Sequence, residues 1–456
     1  MSSLSNLTIH SIGGGWGKDV EDEGLELVAV IRGTDIPNLE INNIQGVPFR
    51  YETQKKIQSR LLQIGDLVIE ISGGSASSKQ RTGRCLYITD ELLKNLGGKV
   101  IPASFCKLLR LDRKKVNSKY VYYQIKAMHL SDEIASFENQ STGISNFQFN
   151  RFIDEIRPSI LDIEVQNKIV NFLEKIDLKI INNININQTL EQIAQTIFKS
   201  WFIDFDPVHA KANALASGQT AEQATQAAMA VISGKNTQEL HRLQTANPEQ
   251  YQQLWEIAEA FPSGFDEDGV PRGWEERELS YLFEFLSGAQ PPKSEHIYEE
   301  KEGYERFIQN RDYSNDNHKT YIPISKKNKR CTEKDILMDK YGEAGKVRYG
   351  IKGAYNVALA KIVPQKDNLR EFLRSYFTQD KIRNYLSSSS MASTRNSLNS
   401  TTFTRMKVIV PNDFLLSTFD KLANEKIDKI LQIKQENIEL SKLRDYLLPK
   451  LLSGEV

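Results

Sequence analysis

Two heptad stripes of matched spacing constrain this chain more than any other feature. The first runs Ile169, Leu173, Ile176, Ile180, Asn183, Asn187, Leu190, Ala194, Ile197, Trp201; the second runs Ile430, Ile433, Asn437, Leu440, Arg444, Leu447, Leu451. Steps of three and four keep one seam of a helix turned toward a partner helix. The stripes align, Ile180 with Ile430, Asn187 with Asn437, Leu190 with Leu440 and Ile197 with Leu447. The tetrapeptide Glu-Lys-Ile-Asp occurs in both, at Glu174–Asp177 and Glu425–Asp428. The pattern is that of one globule-plus-helix unit used twice. Such a chain has a built-in pseudo-two-fold, a symmetry that double-stranded DNA shares.

The rest of the sequence divides around these stripes. In residues 1–160, short β-branched or apolar stretches at Leu27–Arg32, Asp66–Ile71, Arg84–Ile88 and Phe105–Leu111 read as strands, and Tyr120–Phe137 has helical spacing. A long helix is expected over 161–203, with Asp162 as N-cap, ended by Asp206-Pro207. Residues 204–270 read as a linker with short helices, 271–411 as a second globule and 412–456 as a second long helix. The globules echo each other in order. Val30–Asp35 parallels Phe307–Asp312, Gly83-Arg84 parallels Gly345-Lys346, and Thr142–Ser145 parallels Asn396–Asn399.

Composition narrows the function classes. With 456 residues the chain holds two or three domains. Lys+Arg and Asp+Glu are both 59, which argues against a uniformly basic nucleic-acid coat but leaves room for local basic patches. Cys85, Cys106 and Cys331 are isolated, so neither a disulfide framework nor a thiolate zinc site is indicated. Met1–Gly17 lacks a basic-then-apolar leader pattern and no apolar run reaches membrane length, so a cytoplasmic location is expected. No phosphate-binding loop is present, and Gln290-Pro291-Pro292-Lys293 is not the aromatic-bearing motif of an amino-methyltransferase. No catalytic residue and no metal ligand is assigned.

Polar loops recur in both globules. Lys79, Gln80, Arg81 and Arg84 follow a Gly/Ser stretch that permits close approach to phosphates and base edges. Lys327 and Arg330 lie in a basic run, followed by Lys346 and Arg348, and Arg395 and Asn396 close a serine-rich loop. The matched segments add Arg32, Thr142, Ser145 and Asn146 in the first globule and Gln309, Asn310 and Arg311 in the second. All of these are candidate DNA contacts. Phe198, Trp201, Phe202, Phe205, Leu448 and Leu452 put more apolar surface at the helix ends than a two-helix seam covers, and are candidate subunit-docking residues. On residues alone, a protein-binding coiled-coil scaffold and a self-contained methyltransferase or nuclease stay open; the basic loops oppose the first and the missing motifs the second.

Leu190–Val208, with its run Ile197-Phe198-Lys199-Ser200-Trp201-Phe202-Ile203-Asp204-Phe205-Asp206-Pro207, resembles the central stretch of the specificity subunit of type I restriction–modification systems. Leu440–Val456 is similar to its C-terminal tail, and Pro271-Arg272-Gly273-Trp274 to the start of its second target-recognition domain; the first globule lacks such a start. The resemblance implies an α+β fold: two pseudo-repeated α/β target-recognition domains separated by two long helices that form an antiparallel coiled coil. It implies a non-catalytic subunit that reads a bipartite double-stranded DNA target and scaffolds methyltransferase subunits, two of them, and restriction subunits. No cofactor is expected in this chain; S-adenosylmethionine, ATP and Mg2+ belong to the partners. Helices of about 40 residues are roughly 60 Å long, and readers in successive major grooves leave a spacer of roughly five to eight unread base pairs. Asn183, Asn187 and Asn437, near mid-helix, are expected to set the register of the coil.

Overall fold

The computed structural model describes residues 3–75, 81–141, 144–158, 161–314, 319–391 and 397–455. The chain divides into two compact units, Met1–Asn185 with Gln435–Val456, and Ile186–Lys434. Each unit holds one sheet-rich domain and a part of both long helices, Ile163–Phe202 and Asp413–Ser453.

In the first unit the strands are β1 (Thr8–Gly13), β2 (Leu25–Ile31), β3 (Phe49–Thr53), β4 (Leu67–Glu70), β5 (Ser72–Ser75), β6 (Cys85–Tyr87), β7 (Val100–Pro102), β8 (Cys106–Leu111), β9 (Glu138–Ser141) and β10 (Ile144–Phe147). An antiparallel sheet β1-β8-β4-β6 packs on a sheet β3-β2-β7 in which β2 and β7 run parallel. Strand β4 shows why. Leu67 and Ile69 join Tyr120, Tyr123 and Leu109 in one cluster, while Val68 joins Ala29, Ile31 and Leu108 in another. Side chains alternate along a strand, so an unbroken apolar run suits a sheet covered on both faces. Smaller strands β5-β10-β9 form a third sheet. The helical spacing of Tyr120–Phe137 resolves into a helix, Ser118–Leu130, and a 3-10 turn, Glu133–Phe137, with Asp132 between them at a left-handed φ of 62°.

The second unit repeats the plan with β11 (Glu275–Glu278), β12 (Phe283–Ser287), β13 (Tyr304–Ile308), β14 (Tyr321–Pro323), β15 (Arg330–Cys331), β16 (Ile336–Asp339), β17 (Val347–Arg348), β18 (Gly353–Tyr355), β19 (Leu359–Pro364) and β20 (Lys407–Val410). Its sheets are β12-β19-β16-β17 and β14-β13-β18-β15, with β13 and β18 parallel, and a short β11-β20 pair. Ile336 and Met338 face one cluster and Leu337 the other, as in β4.

The duplication extends to single hydrogen bonds. Asp35 Oδ2 accepts from Arg32 N at 2.9 Å, and Asp312 Oδ2 from Gln309 N at 3.0 Å, just after β2 and β13. Gly83 N donates to Glu70 O and Gly345 N to Asp339 O; Glu70 N donates to Arg84 O and Asp339 N to Lys346 O. Gly14 and Gly288 occupy one role: a Cβ would lie 2.1 Å from Ala103 O at the first and 2.0 Å from Asn356 O at the second. One expected pairing is corrected. Phe147 N bonds Ile71 O and Leu398 N bonds Lys340 O, so Leu398 matches Phe147, not Ile144. Both are buried, and the polar residues around them carry no phase that could have set the alignment.

Residues between the long helix and β11 form helices Asp206–Ala216, Ala221–Ser233, Thr237–Ala246 and Pro248–Ala260. They are a packed module. Lys211 Nζ donates to Ala258 O, Glu259 O and Phe261 O at 3.2, 3.1 and 2.6 Å, satisfying carbonyls that the last helix leaves without partners.

The long helices run antiparallel within each unit. In the first, Asn183 Nδ2 donates to Asn437 Oδ1 at 2.8 Å and Arg444 Nη1 to Asp177 Oδ1 at 2.8 Å. In the second, Glu191 and Lys434 both meet Tyr349, and the rings of Phe198 and Phe419 lie 5.8 Å apart. The amide partner of Asn437 is Asn183; Asn187 is buried with its Oδ1 unpartnered. Asn183 Nδ2 also donates to Glu436 Oε2 at 3.1 Å, so Asn437→Ala would remove one of its two acceptors, at a cost of about 1 kcal/mol. Calorimetry should show a lowered first-unit midpoint, recovered in the double variant Asn183→Leu/Asn437→Leu; an unchanged midpoint in the single variant would remove these amides from setting the register.

Candidate nucleic-acid interface

Among the described residues, the expected DNA-binding cations other than Lys327 are already matched by carboxylates. Arg84 makes a two-point pair with Glu70 at 2.8 and 2.7 Å, with side chains 17% and 3% exposed. Gly33 and Gly73 stand so close to Glu70 that a Cβ at either would lie 2.3 or 2.6 Å from its Oε1. Arg348, 9% exposed, bonds Asp339 at 3.1 and 2.7 Å and Glu343 at 2.8 Å. Burial pushes the Asp339 carboxyl up from the ordinary range, with Arg348 opposing the shift. Arg84 and Arg348 each brace the root of the hairpin that follows β4 or β16. Their carboxylate partners are needed because an unpaired buried charge is costly.

The remaining arginines are more exposed and also tied. Arg32 bonds Asp35 and Gly46 O, Arg81 bonds Asp132 and Glu138, and Arg330 grips Glu305 at 2.6 and 2.7 Å. Arg311 Nη2 donates to Thr320 Oγ1 at 3.3 Å, as does Gln309 Nε2 at 3.2 Å. Lys346 pairs with Glu343 at 2.8 and 2.9 Å. Lys327 is exposed and, among the described residues, makes no ion pair. Lys79, Gln80, Thr142, Arg395 and Asn396 lie outside the described residues.

The uncharged candidates divide by burial. Ser145 is 3% exposed and points inward beside Phe147. Among the described residues, Asn310 Oδ1 is likewise buried without a partner. Asn146 is exposed on β10, where Ser72 Oγ donates to its Oδ1 at 3.0 Å. Asn139, exposed on β9, stands directly opposite Asn146. Sequence reasoning passes over Ser72 and Asn139. No alternation in Glu138-Asn139-Gln140-Ser141 marks a face; the register of β9 with β10 is what sets the two asparagines side by side.

The structure places the candidate docking residues against the chain's own cores. Phe198, Trp201 and Phe202 are buried in the second unit's main core with Phe261, Phe372 and Phe419, and Phe205 packs partly buried against it. Leu448 and Leu452 are buried in the first unit's core with Ile169 and Leu173. The apolar excess at the helix ends is covered by the chain's own domains. Among the described residues no group of three or more His, Cys, Asp or Glu could hold a metal ion, and no helix is long and apolar enough to cross a membrane.

Comparison with known proteins fixes the family. The HindI specificity subunit of a type I restriction enzyme of Haemophilus influenzae is 37% identical over 325 residues, which cover 67% of this chain and 70% of that protein. The chain belongs to the family of type I restriction enzyme specificity subunits. The family model described as the type I restriction modification DNA specificity domain matches residues 271–444. The MjaIX specificity subunit of Methanocaldococcus jannaschii is 26% identical over 363 residues, 75% of this chain and 69% of that one. A crystal structure of a type I restriction–modification S subunit from M. genitalium aligns over 99% of this chain and 95% of that one, with 16% identity and a TM-score of 0.46. Specificity subunits recognise DNA sequence and are not catalytic; methylation and cleavage are the work of the methyltransferase and restriction subunits they accompany.

Proposed function

We propose that this specificity subunit reads a bipartite DNA sequence, one half with each sheet-rich domain, and scaffolds two methyltransferase subunits together with restriction subunits. The observation that carries the reading is the duplication itself. Two domains built on one hydrogen-bonding plan, each fastened to the same pair of antiparallel helices, are two readers of one kind. In the first unit the fastening is Tyr123 Oη to Asp177 Oδ2 at 2.7 Å and Lys119 Nζ to Glu174 Oε1 at 2.7 Å. In the second it is Tyr349 Oη to Glu191 Oε1 at 2.5 Å and Gln379 Nε2 to Gln195 Oε1 at 2.6 Å. Two readers on one chain call for a constant spacing between half-sites. The chemistry resides in the partners, with S-adenosylmethionine held by the methyltransferase and ATP and Mg2+ by the restriction subunit. Gel shifts with the reconstituted methyltransferase complex test this. A two-block target should bind, and lengthening or shortening its spacer by two base pairs should weaken binding at least tenfold. Equal binding at every spacer length would contradict the reading, as would one copy of this chain per methyltransferase in native mass spectrometry.

A further inference from the structure

We infer that the sheet β5-β10-β9 is the reading surface of the first domain, and that Asn139 and Asn146 recognise adenine in the major groove of its half-site. This rests on the two-reader proposal above. The sheet has an unusual composition. On its exposed face the register sets Ser72, Asn146 and Asn139 in one row across three strands. On the other face Ser145 and Phe147 turn into the protein. A row of hydrogen-bonding side chains with no apolar member does not serve folding; it suits a polar, hydrogen-bonding partner.

The chemistry fits one partner closely. The major groove of B-form DNA admits a two-stranded ribbon, and an asparagine amide can bond adenine at two points, accepting from N6 and donating to N7. The Oδ1 of an asparagine has two acceptor positions. Ser72 fills one on Asn146, which fixes the orientation of the amide and leaves the second for adenine. Ser72 is thus a positioning residue and Asn146 the reader.

The surrounding structure holds the row still. Glu138, at the start of β9, accepts from Thr82 N, from Thr82 Oγ1 at 2.8 Å and from Arg81 Nη1 at 3.1 Å. Arg81 also makes a two-point pair with Asp132 at 2.8 Å. At the start of β5, Gly73 packs against the Glu70–Arg84 brace. A reading site needs such fixed supports, and these use the same arginines whose charges are spent on carboxylates. Among the described residues, the segment 340–346 that follows β16 in the second domain holds no strand matching β5. Two readers of different half-sites must differ somewhere, and here one common hairpin is elaborated in only one of them.

The test uses the full chain in complex with its methyltransferase subunit. Asn146→Ala, Asn139→Ala and Ser72→Ala are each titrated, by competition gel shift, against duplexes carrying every single base-pair change in the target. Asn146→Ala and Asn139→Ala should each erase preference at one A·T pair of one half-site, by roughly ten- to hundred-fold. Preference in the other half-site should stay intact, and Ser72→Ala should blur the Asn146 position more weakly. Calorimetric midpoints should not move, because Asn139 and Asn146 are exposed. Unchanged preference at every position would overturn the inference, and so would a loss equal over all sequences, which marks a backbone contact. A wild-type target with no gap would instead refute the two-reader proposal, so the two failures are distinguishable.

Discussion

Replacing Arg348 by alanine should destabilise the second unit by about 3–5 kcal/mol, the loss typical when one partner of a buried ion pair is removed. Asp339 is 1% exposed and would be left with its charge in the core, since Arg348 supplies both of its hydrogen bonds from a guanidinium. The pH dependence identifies the cause. Burial already raises the Asp339 carboxyl, and without Arg348 the rise is larger. A carboxyl raised in the folded state contributes stability that is fully present below its unfolded value of about 3.9 and is lost as pH climbs through the folded value. The deficit of the variant should therefore shrink as pH falls from 7 toward 4. Urea titrations of both proteins across that window check it. A variant of undiminished stability that fails to bind one half-site would return Arg348 to DNA reading.

Trp201→Ala should cost a similar amount, about 3–5 kcal/mol for an aromatic removed from a packed core. Trp201 is 3% exposed and lies edge-on to Phe261 at 5.3 Å and Phe202 at 5.9 Å. Those rings join the first long helix to the helical module before β11 and, through Phe419, to the second long helix. The effect should appear in the urea midpoint of the second unit, and methyltransferase co-purification should decline only as the folded fraction declines. A normal midpoint with a lost partner would show that Trp201 docks the methyltransferase directly.

The sequence carried the plan of the fold well and the site poorly, for physical reasons. Duplication was legible at Val30–Asp35 and Phe307–Asp312 because one aspartate closes the same turn in both domains, and at Gly83 and Gly345 because both take positive φ, 79° and 90°. The heptad stripes were legible because the seam carries mostly apolar side chains at steps of three and four. Arg84, Arg330 and Arg81 misled because their partners are remote in sequence. Arg84 finds Glu70, Arg330 finds Glu305 and Arg81 finds Glu138, and no local pattern announces such a pair. Phe198 and Leu448 occupy matching positions and are both fully buried, which spacing alone could not separate from an exposed docking face. The polar strands β9 and β10 lack the apolar alternation by which strands are usually found, so their row of amides emerges only from the register.

In the proposed function, two domains of one plan read two separated blocks of DNA. Sequencing of methylated adenines, in cells that express this chain with its methyltransferase subunit, tests it most directly. Two short specific blocks should emerge, separated by a constant run of roughly five to eight unspecified base pairs. A single contiguous motif, or blocks at variable separation, would contradict it.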